Sequence, residues 1–322
     1  MEAHNKAKLG KRFKKEVILF EMDLESNILS LAKELKTGTY KPLGYVGFYV
    51  YEPKERLIKA APYRDRVVHQ WYVLNFIKPI FQPMFIYDSY ACIDGKGMHR
   101  AAYRVQEFMR EAKRNSDEVY ILKADVAKYF FNINHNVLYK IISDKITDRK
   151  VLWLTRKFLN STDNPGIPVG SYTSQFFANM YLNELDYYVK HTLRVKYYAR
   201  YMDDFILVLP NKEEAKIALE KVTEFVEDKL KLSLNNKTQI YPLQNGVNFC
   251  GYKIKDTHMR IRDQSKKRMK RKLKSFQKKY AKGDMTLEEI RRSIVSWKGY
   301  AEKASSKKLI ESIWTKYSFK KE

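Results

Sequence analysis

The chain has 322 residues, 44% of them hydrophobic and 14% aromatic, a composition far from disorder and sufficient to bury a core. Sixty-two Lys and Arg against 37 Asp and Glu leave a net charge of +25. An excess of that size points to a polyanionic partner, because each phosphate neutralised by a cation releases condensed counterions. Two cysteines, Cys92 and Cys250, are too few for a disulfide framework or a zinc site.

The opening stretch, MEAHNKAKLGKRFKKEVILF, is basic but has no long apolar run before a small-residue cleavage site, so no signal peptide is expected. Residues 26–37, SNILSLAKELKT, predict a helix with Ser26 as N-cap, Ile28, Leu31, Ala32 and Leu35 as its apolar stripe, and Gly38 past its end. The Gly/Pro/Tyr-rich residues 38–68 contain short β-prone pieces that predict a hairpin. The apolar run VLNFIKPIFQPMFIY is broken by Lys78, Pro79 and Pro83 and does not suit a membrane span. With no lipidation motif either, a cytoplasmic chain without a membrane partner is the expectation.

Residues 118–133, EVYILKADVAKYFFNI, begin with an apolar run ending at Asp125, which predicts a buried strand. Residues 174–193 have helical spacing that places Phe177, Met180, Tyr181, Leu185 and Tyr188 on one side. Next comes VKYYARYMDDFILVLP, a strand-like run interrupted by two adjacent aspartates, although Asp is depleted in strands. Asn211 with Glu214 signals a helix start after Pro210, with Leu219, Val222, Phe225 and Val226 as the buried face. This element order predicts an α+β fold with helices on one face of a largely antiparallel sheet. From residue 257 onward, 21 Lys/Arg face 7 Asp/Glu, a net of +14, with Trp297, Tyr300, Trp314 and Tyr317 interleaved. Cations mixed with flat aromatic side chains suit a surface that tracks a nucleic-acid backbone.

Two carboxylates on a tight turn repel each other unless a cation sits beside them. Mg²⁺ favours such oxygen donors, often one or two carboxylates plus substrate phosphates. If the strand ending at Asp125 neighbours the hairpin, Asp125, Asp203 and Asp204 converge at one end of the sheet. That would suit two metal ions about 4 Å apart, clamping the attacking and leaving oxygens of phosphoryl transfer. Taken alone, the Asp-Asp pair also fits a solvated turn.

With those strands around it, Tyr-Met-Asp-Asp resembles the catalytic core of reverse transcriptases, and six further blocks follow in that family's order. ERLIKAAPYRDRVVHQ and DSYACIDGKGMHRA resemble the two fingers blocks, and KADVAKYFFNI the block with the first metal aspartate. GIPVGSYTSQFFANMYLNELD resembles the block contacting template and nucleotide, LNNKTQI the lysine block, and VNFCGYKI the primer grip. The resemblance implies a right-hand polymerase: residues 1–115 with part of 136–168 as N-terminal region and fingers, 116–256 as palm, with the grip near 247–254, and 257–322 as a basic helical thumb.

It further implies that Asp125 and Asp203 hold two Mg²⁺ ions, for which Mn²⁺ substitutes, that Asp204 completes the carboxylate set, and that the carbonyl of Val126 contributes. Arg56 and Lys54 match the cations that hold a dNTP triphosphate, and planar, always-charged Arg suits that task. Lys237 matches the lysine that protonates leaving pyrophosphate, or is a surface cation. Phe130 falls at the sugar gate, where a ring collides with a ribose 2′-hydroxyl and favours DNA synthesis. Val169, Gly170 and Gln175 line the nucleotide block, and Phe249, Cys250, Gly251 and Tyr252 support the primer end. Arg268, Lys270, Arg271, Lys274 and Trp297 are the thumb residues expected to hold template RNA and the RNA/cDNA duplex.

VGSYTSQ departs from the retroviral and intron-encoded pattern, which has Gln before the Gly; intron enzymes also have Ser-Pro where this chain has Ser174-Gln175. In this it resembles reverse transcriptases of diversity-generating retroelements, as do the fingers phrase and SWKGYAEKA at 296–304. That likeness implies a bacterial or phage-encoded enzyme copying a template-repeat RNA with errors opposite adenine, in mutagenic retrohoming. It also implies a small, basic, oligomeric accessory variability protein as partner. After the thumb no room for an RNase H domain is expected. A retron, phage-defence or intron-derived enzyme is the alternative within polymerases, and an RNA-binding scaffold with the same fold is the non-enzymatic one.

Overall fold

A computed structural model describes residues 1–51, 55–317 and 319 of the chain. Lys54, expected at the triphosphate, lies outside the described residues. The chain divides into two compact units, each built from three separated segments. The first gathers Met1–Ile93, Asp125–Arg194 and Glu220–Lys237; the second gathers Asp94–Ala124, Val195–Leu219 and Thr238–Glu322.

In the first unit the expected early helix spans Leu24–Thr37, two residues longer at its start than predicted. Asp23, not Ser26, stands at the N-cap, and Gly38 closes the helix in the left-handed region at φ 74°. The predicted hairpin forms as β1 (Val46–Val50) and β2 (Arg56–Ala60), paired antiparallel from Val46↔Ala60 to Val50↔Arg56. The helix Tyr172–Tyr187 departs from the one-sided pattern, being buried on nearly every side. Some of its polar groups find partners in that interior: Asn179 Nδ2 donates to the Ala91 carbonyl at 2.7 Å, and the Ala178 carbonyl accepts from the Tyr129 hydroxyl at 2.5 Å, whereas Ser174 Oγ and Asn183 Oδ1 make no hydrogen bond among the described residues. Such pairing lowers the desolvation cost of burying Asn179 in the core.

The second unit carries a four-stranded sheet in the order β4-β5-β3-β6, formed by β3 (Tyr120–Asp125), β4 (Tyr197–Tyr201), β5 (Asp204–Leu209) and β6 (Gln239–Pro242). Consecutive residues of β3, Ile121 and Leu122, are both fully buried, so both faces of that strand are covered. The run Phe205–Leu209 in β5 is likewise buried throughout. Both strands thus bury apolar side chains and carry an aspartate where burial lessens: Asp125 closes β3 and Asp204 opens β5. A second sheet, β7 (Val247–Phe249), β8 (Tyr252–Ile254) and β9 (Met259–Ile261), leads into helices Asp263–Ala281, Leu287–Ala301 and Lys307–Lys316. Met269, Leu273, Phe276, Ile290, Ile294 and Ile313 form the small core those helices share. Among the described residues no helix is long and apolar enough to cross a membrane.

Candidate active site

The two aspartates occupy a tight hairpin. Tyr201 pairs with Asp204, leaving Met202 and Asp203 as the two turn residues. Met202 takes a left-handed φ of 59°, a conformation costing a side-chain-bearing residue on the order of 1 kcal/mol or more. Arg200, fully buried on β4, donates from Nη1 to the Met202 carbonyl at 2.9 Å and holds the turn. The hairpin therefore presents Asp203 and Asp204 on a strained, braced tip rather than on a loose loop.

Asp204 is gripped from β3. Lys123 Nζ donates to its two carboxylate oxygens at 2.6 and 2.8 Å, and the same ammonium lies 5.9 Å from the centre of the Phe249 ring. Phe249 and Tyr252 are the paired ends of β7 and β8, joined through Cys250 at φ 46° and Gly251 at φ 86°. Two successive positive φ values make the mirror-image turn that fits the twist of a two-residue hairpin. Burial, with the Asp204 carboxylate nearby, pushes the Cys250 thiol well above its ordinary range, against the opposing influence of Lys123 and Arg262. Cys250 is therefore a neutral thiol, and all four residues expected to support a primer stand on this hairpin.

In the first unit, Asp125 is fixed by the start of the block that carries Lys237. The Asn235 amide donates to the Asp125 carbonyl at 2.7 Å, and Asn235 Nδ2 donates to Asp125 Oδ2 at 3.3 Å. Val126, buried, forms a bridge with Leu234, and the Ala127 amide donates to the Ser233 carbonyl at 2.9 Å. Lys237 is exposed, and its backbone amide donates to Asn235 Oδ1 at 3.1 Å. Phe130 is half-buried, its carbonyl accepting from Ile167 at 2.7 Å, while Phe131 beside it is 49% exposed.

Val169 and Gly170 lie against the β1–β2 hairpin. The Val169 carbonyl accepts from the Lys59 amide at 3.2 Å, and a Cβ on Gly170 would stand 3.0 Å from Ile58 Cγ2. Gly170 also has φ 107°, which side-chain-bearing residues rarely adopt. Ser171 Oγ is hydrogen-bonded to His69 Nδ1 at 3.2 Å and to Thr173 Oγ1 at 2.7 Å. Burial, with Arg66 nearby, pushes His69 down to about 3, so the ring is neutral and serves as a fixed hydrogen-bonding partner. Gln175 is half-buried on the helix that follows, and Arg56 is exposed at the start of β2.

Arg268, Lys270, Arg271 and Lys274 are all exposed on the helix Asp263–Ala281. Trp297 packs, half-buried, against the helical core, so part of its ring is spent on packing rather than offered to a base.

Carboxylates such as those of Asp203 and Asp204, adjacent on the hairpin, are hard oxygen donors of the kind that Mg²⁺ or Mn²⁺ takes, so the donor chemistry of that tip fits a divalent cation. Among the described residues no group of three or more His, Cys, Asp or Glu side chains is assembled as a metal cage. Lys123, Arg200, Asn235 and His69 are the supporting residues that sequence reasoning missed. Only Lys123 carried a signal, a cation alternating with Asp125 in an apolar strand.

Strands buried up to a terminal aspartate, beside a hairpin tipped by two more, with helices around antiparallel pairs, make the fold of the right-hand nucleic-acid polymerases. Residues 52–254 match the family described as reverse transcriptase (RNA-dependent DNA polymerase), and the chain belongs to that family. It is 25% identical over 268 residues to protein YkfC of Escherichia coli K12, covering 70% of each chain. It is 24% identical over 306 residues to the group II intron-encoded protein LtrA of Lactococcus lactis, covering 72% of this chain and 50% of that one. Among solved structures, Candida tropicalis telomerase bound to a TWJ fragment of telomeric RNA superposes with a TM-score of 0.52 at 14% identity, covering 91% of this chain and 59% of the telomerase. Apo telomerase from the same organism, truncated of its C-terminal domain, gives 0.50 at 13% identity over 73% and 60%. The chain thus spans about half of the intron-encoded relative and three fifths of the telomerase chains.

Proposed function

We propose that this chain is an RNA-directed DNA polymerase that copies a template-repeat RNA into cDNA with errors opposite adenine, for mutagenic retrohoming of a diversity-generating retroelement. The braced Asp203-Asp204 tip on a strand beside β3, in a chain of the reverse-transcriptase family, is the observation that carries the polymerase reading. In this reading Asp125, Asp203 and Asp204 hold two Mg²⁺ ions, with the Val126 carbonyl contributing. Bound there, the ions would activate the primer 3′-oxygen and neutralise charge on the phosphates.

The chain's own residues do the rest. Arg56 and Lys54 clamp the dNTP triphosphate, Phe130 excludes a 2′-hydroxyl, and Gly170 and Gln175 shape the nucleotide floor. Lys237 delivers a proton to leaving pyrophosphate. The Phe249–Tyr252 hairpin holds the primer end, and Arg268, Lys270, Arg271, Lys274 and Trp297 track the RNA/cDNA duplex. Fingers, palm and thumb are apportioned as residues 1–115 with part of 136–168, 116–256 and 257–322. Val169 supports the retroelement role: an aliphatic side chain offers no hydrogen bond near the nucleotide's sugar and base, so poorly paired geometry is penalised less. A small basic oligomeric accessory protein completes the complex.

The likeness to an intron-encoded protein favours a second reading, an intron-derived or retron-type enzyme. Primer extension on RNA with all four dNTPs, read by sequencing, tests both. Errors concentrated opposite adenine, with near-identical repeats in neighbouring DNA differing at adenines, support the retroelement; uniform fidelity beside a self-splicing intron or structured noncoding RNA supports the second. Loss of synthesis in Asp203→Ala is expected; undiminished extension would exclude Asp203 from the site, and no extension by the parent chain would leave an RNA-binding scaffold.

A further inference from the structure

Resting on the reading of Asp125 as a metal ligand, we infer that Asn235 is the positioning residue that sets the Asp125 carboxylate and couples it to the Lys237 turn. A carboxylate at the end of a strand can rotate, and its affinity for a cation depends on how well that rotation is fixed beforehand. Asn235 fixes it at two levels. Its amide binds the Asp125 carbonyl at 2.7 Å, extending the pairing of the strand past its last regular residue. Its Nδ2 donates to Asp125 Oδ2 at 3.3 Å, which restricts rotation of the carboxylate.

The other end of the same side chain accepts from the Lys237 amide at 3.1 Å, the hydrogen bond of an Asx-turn. One amide side chain therefore joins the backbone that carries the proposed proton donor to the carboxylate that carries the proposed metal. Asparagine suits this place because it donates from one end and accepts at the other, with no charge to repel Asp125. Aspartate would lose the donor and add repulsion, and leucine would leave both partners unmet.

The two roles separate by substitution. Asn235→Ser keeps a short acceptor for the Lys237 amide and so keeps the turn, but cannot reach Asp125; Asn235→Ala loses both contacts. Mn²⁺ binding to the full chain is measured by electron paramagnetic resonance of the free ion, alongside the Mg²⁺ half-saturation of primer extension and melting in EDTA. Both variants are expected to weaken Mn²⁺ binding and raise the Mg²⁺ half-saturation about tenfold, the size typical of losing a partner that orients a ligand. The serine chain should melt as the parent does. Parental Mn²⁺ binding by Asn235→Ser would overturn the positioning role and leave Asn235 a turn residue. Asp125→Asn separates this from failure of the underlying reading: if it too binds Mn²⁺ as the parent does, Asp125 is no ligand and both inferences fall.

Discussion

Lys123 Nζ donates to both carboxylate oxygens of Asp204, at 2.6 and 2.8 Å, across two neighbouring strands of one sheet. Both side chains are about one quarter exposed, so the pair is desolvated enough that removing one partner leaves a costly charge. Lys123→Gln is expected to lower stability by about 2 kcal/mol without divalent cations. Mg²⁺ should then raise the melting temperature more in the variant than in the parent, since a cation replaces the missing ammonium. Equal Mg²⁺-induced shifts in both chains would show that Lys123 does not stand in for the ion.

Met202 stores strain at the turn, at φ 59°. Met202→Gly removes the steric penalty of the left-handed region and should stabilise the chain by roughly 1 kcal/mol, read as a raised melting temperature. A lowered melting temperature would mean that packing of the methionine side chain outweighs the strain.

Gly170 admits no side chain without displacement of Ile58. Gly170→Ala should cost about 2 kcal/mol from backbone strain and overpacking and should lower primer extension by shifting β2, which carries Arg56. Val169→Gln tests fidelity at the adjacent position. Misincorporation opposite template adenine is expected to fall relative to the other bases, as sequenced cDNA would report, and an unchanged adenine error would remove Val169 from the account of infidelity.

His69 gives the fold an acid-labile point. Burial lowers it from 6.5 to about 3, so the folded chain keeps the ring neutral while the unfolded chain protonates it. The stabilisation is complete above pH 6.5 and is lost as pH falls toward 3, with a limiting slope of about 1.4 kcal/mol per pH unit. His69→Asn should flatten the dependence of melting temperature on pH between 7 and 5; parallel profiles would mean that other groups set the acid response.

The parts of this fold legible in sequence are those governed by local rules. Gly38 ended its helix where predicted, and Asn211 capped the helix Lys212–Asp228 by accepting from the Glu214 amide at 2.8 Å. The hairpin at 46–60 and the strand ending at Asp125 followed from β-prone runs between turn residues. Ser26 misled because Leu24 and Glu25 are good helix formers that carry the helix back to Asp23. The burial of Tyr172–Tyr187 on nearly every side was hidden because Asn179 looks solvent-facing until its distant partner, the Ala91 carbonyl, is known. Asn235 and His69 escaped for the same reason: they act through contacts 110 and 102 residues away in sequence, which leave no periodicity to read.

The carbonyl of Gly251 takes hydrogen bonds from the Tyr300 hydroxyl at 2.5 Å and from the Arg262 amide at 3.3 Å. One comes from the root of the first basic helix and the other from the far end of the second. A displacement of either helix would therefore pull on the very peptide that closes the β7–β8 loop, which is tied to Asp204 through Phe249 and Lys123.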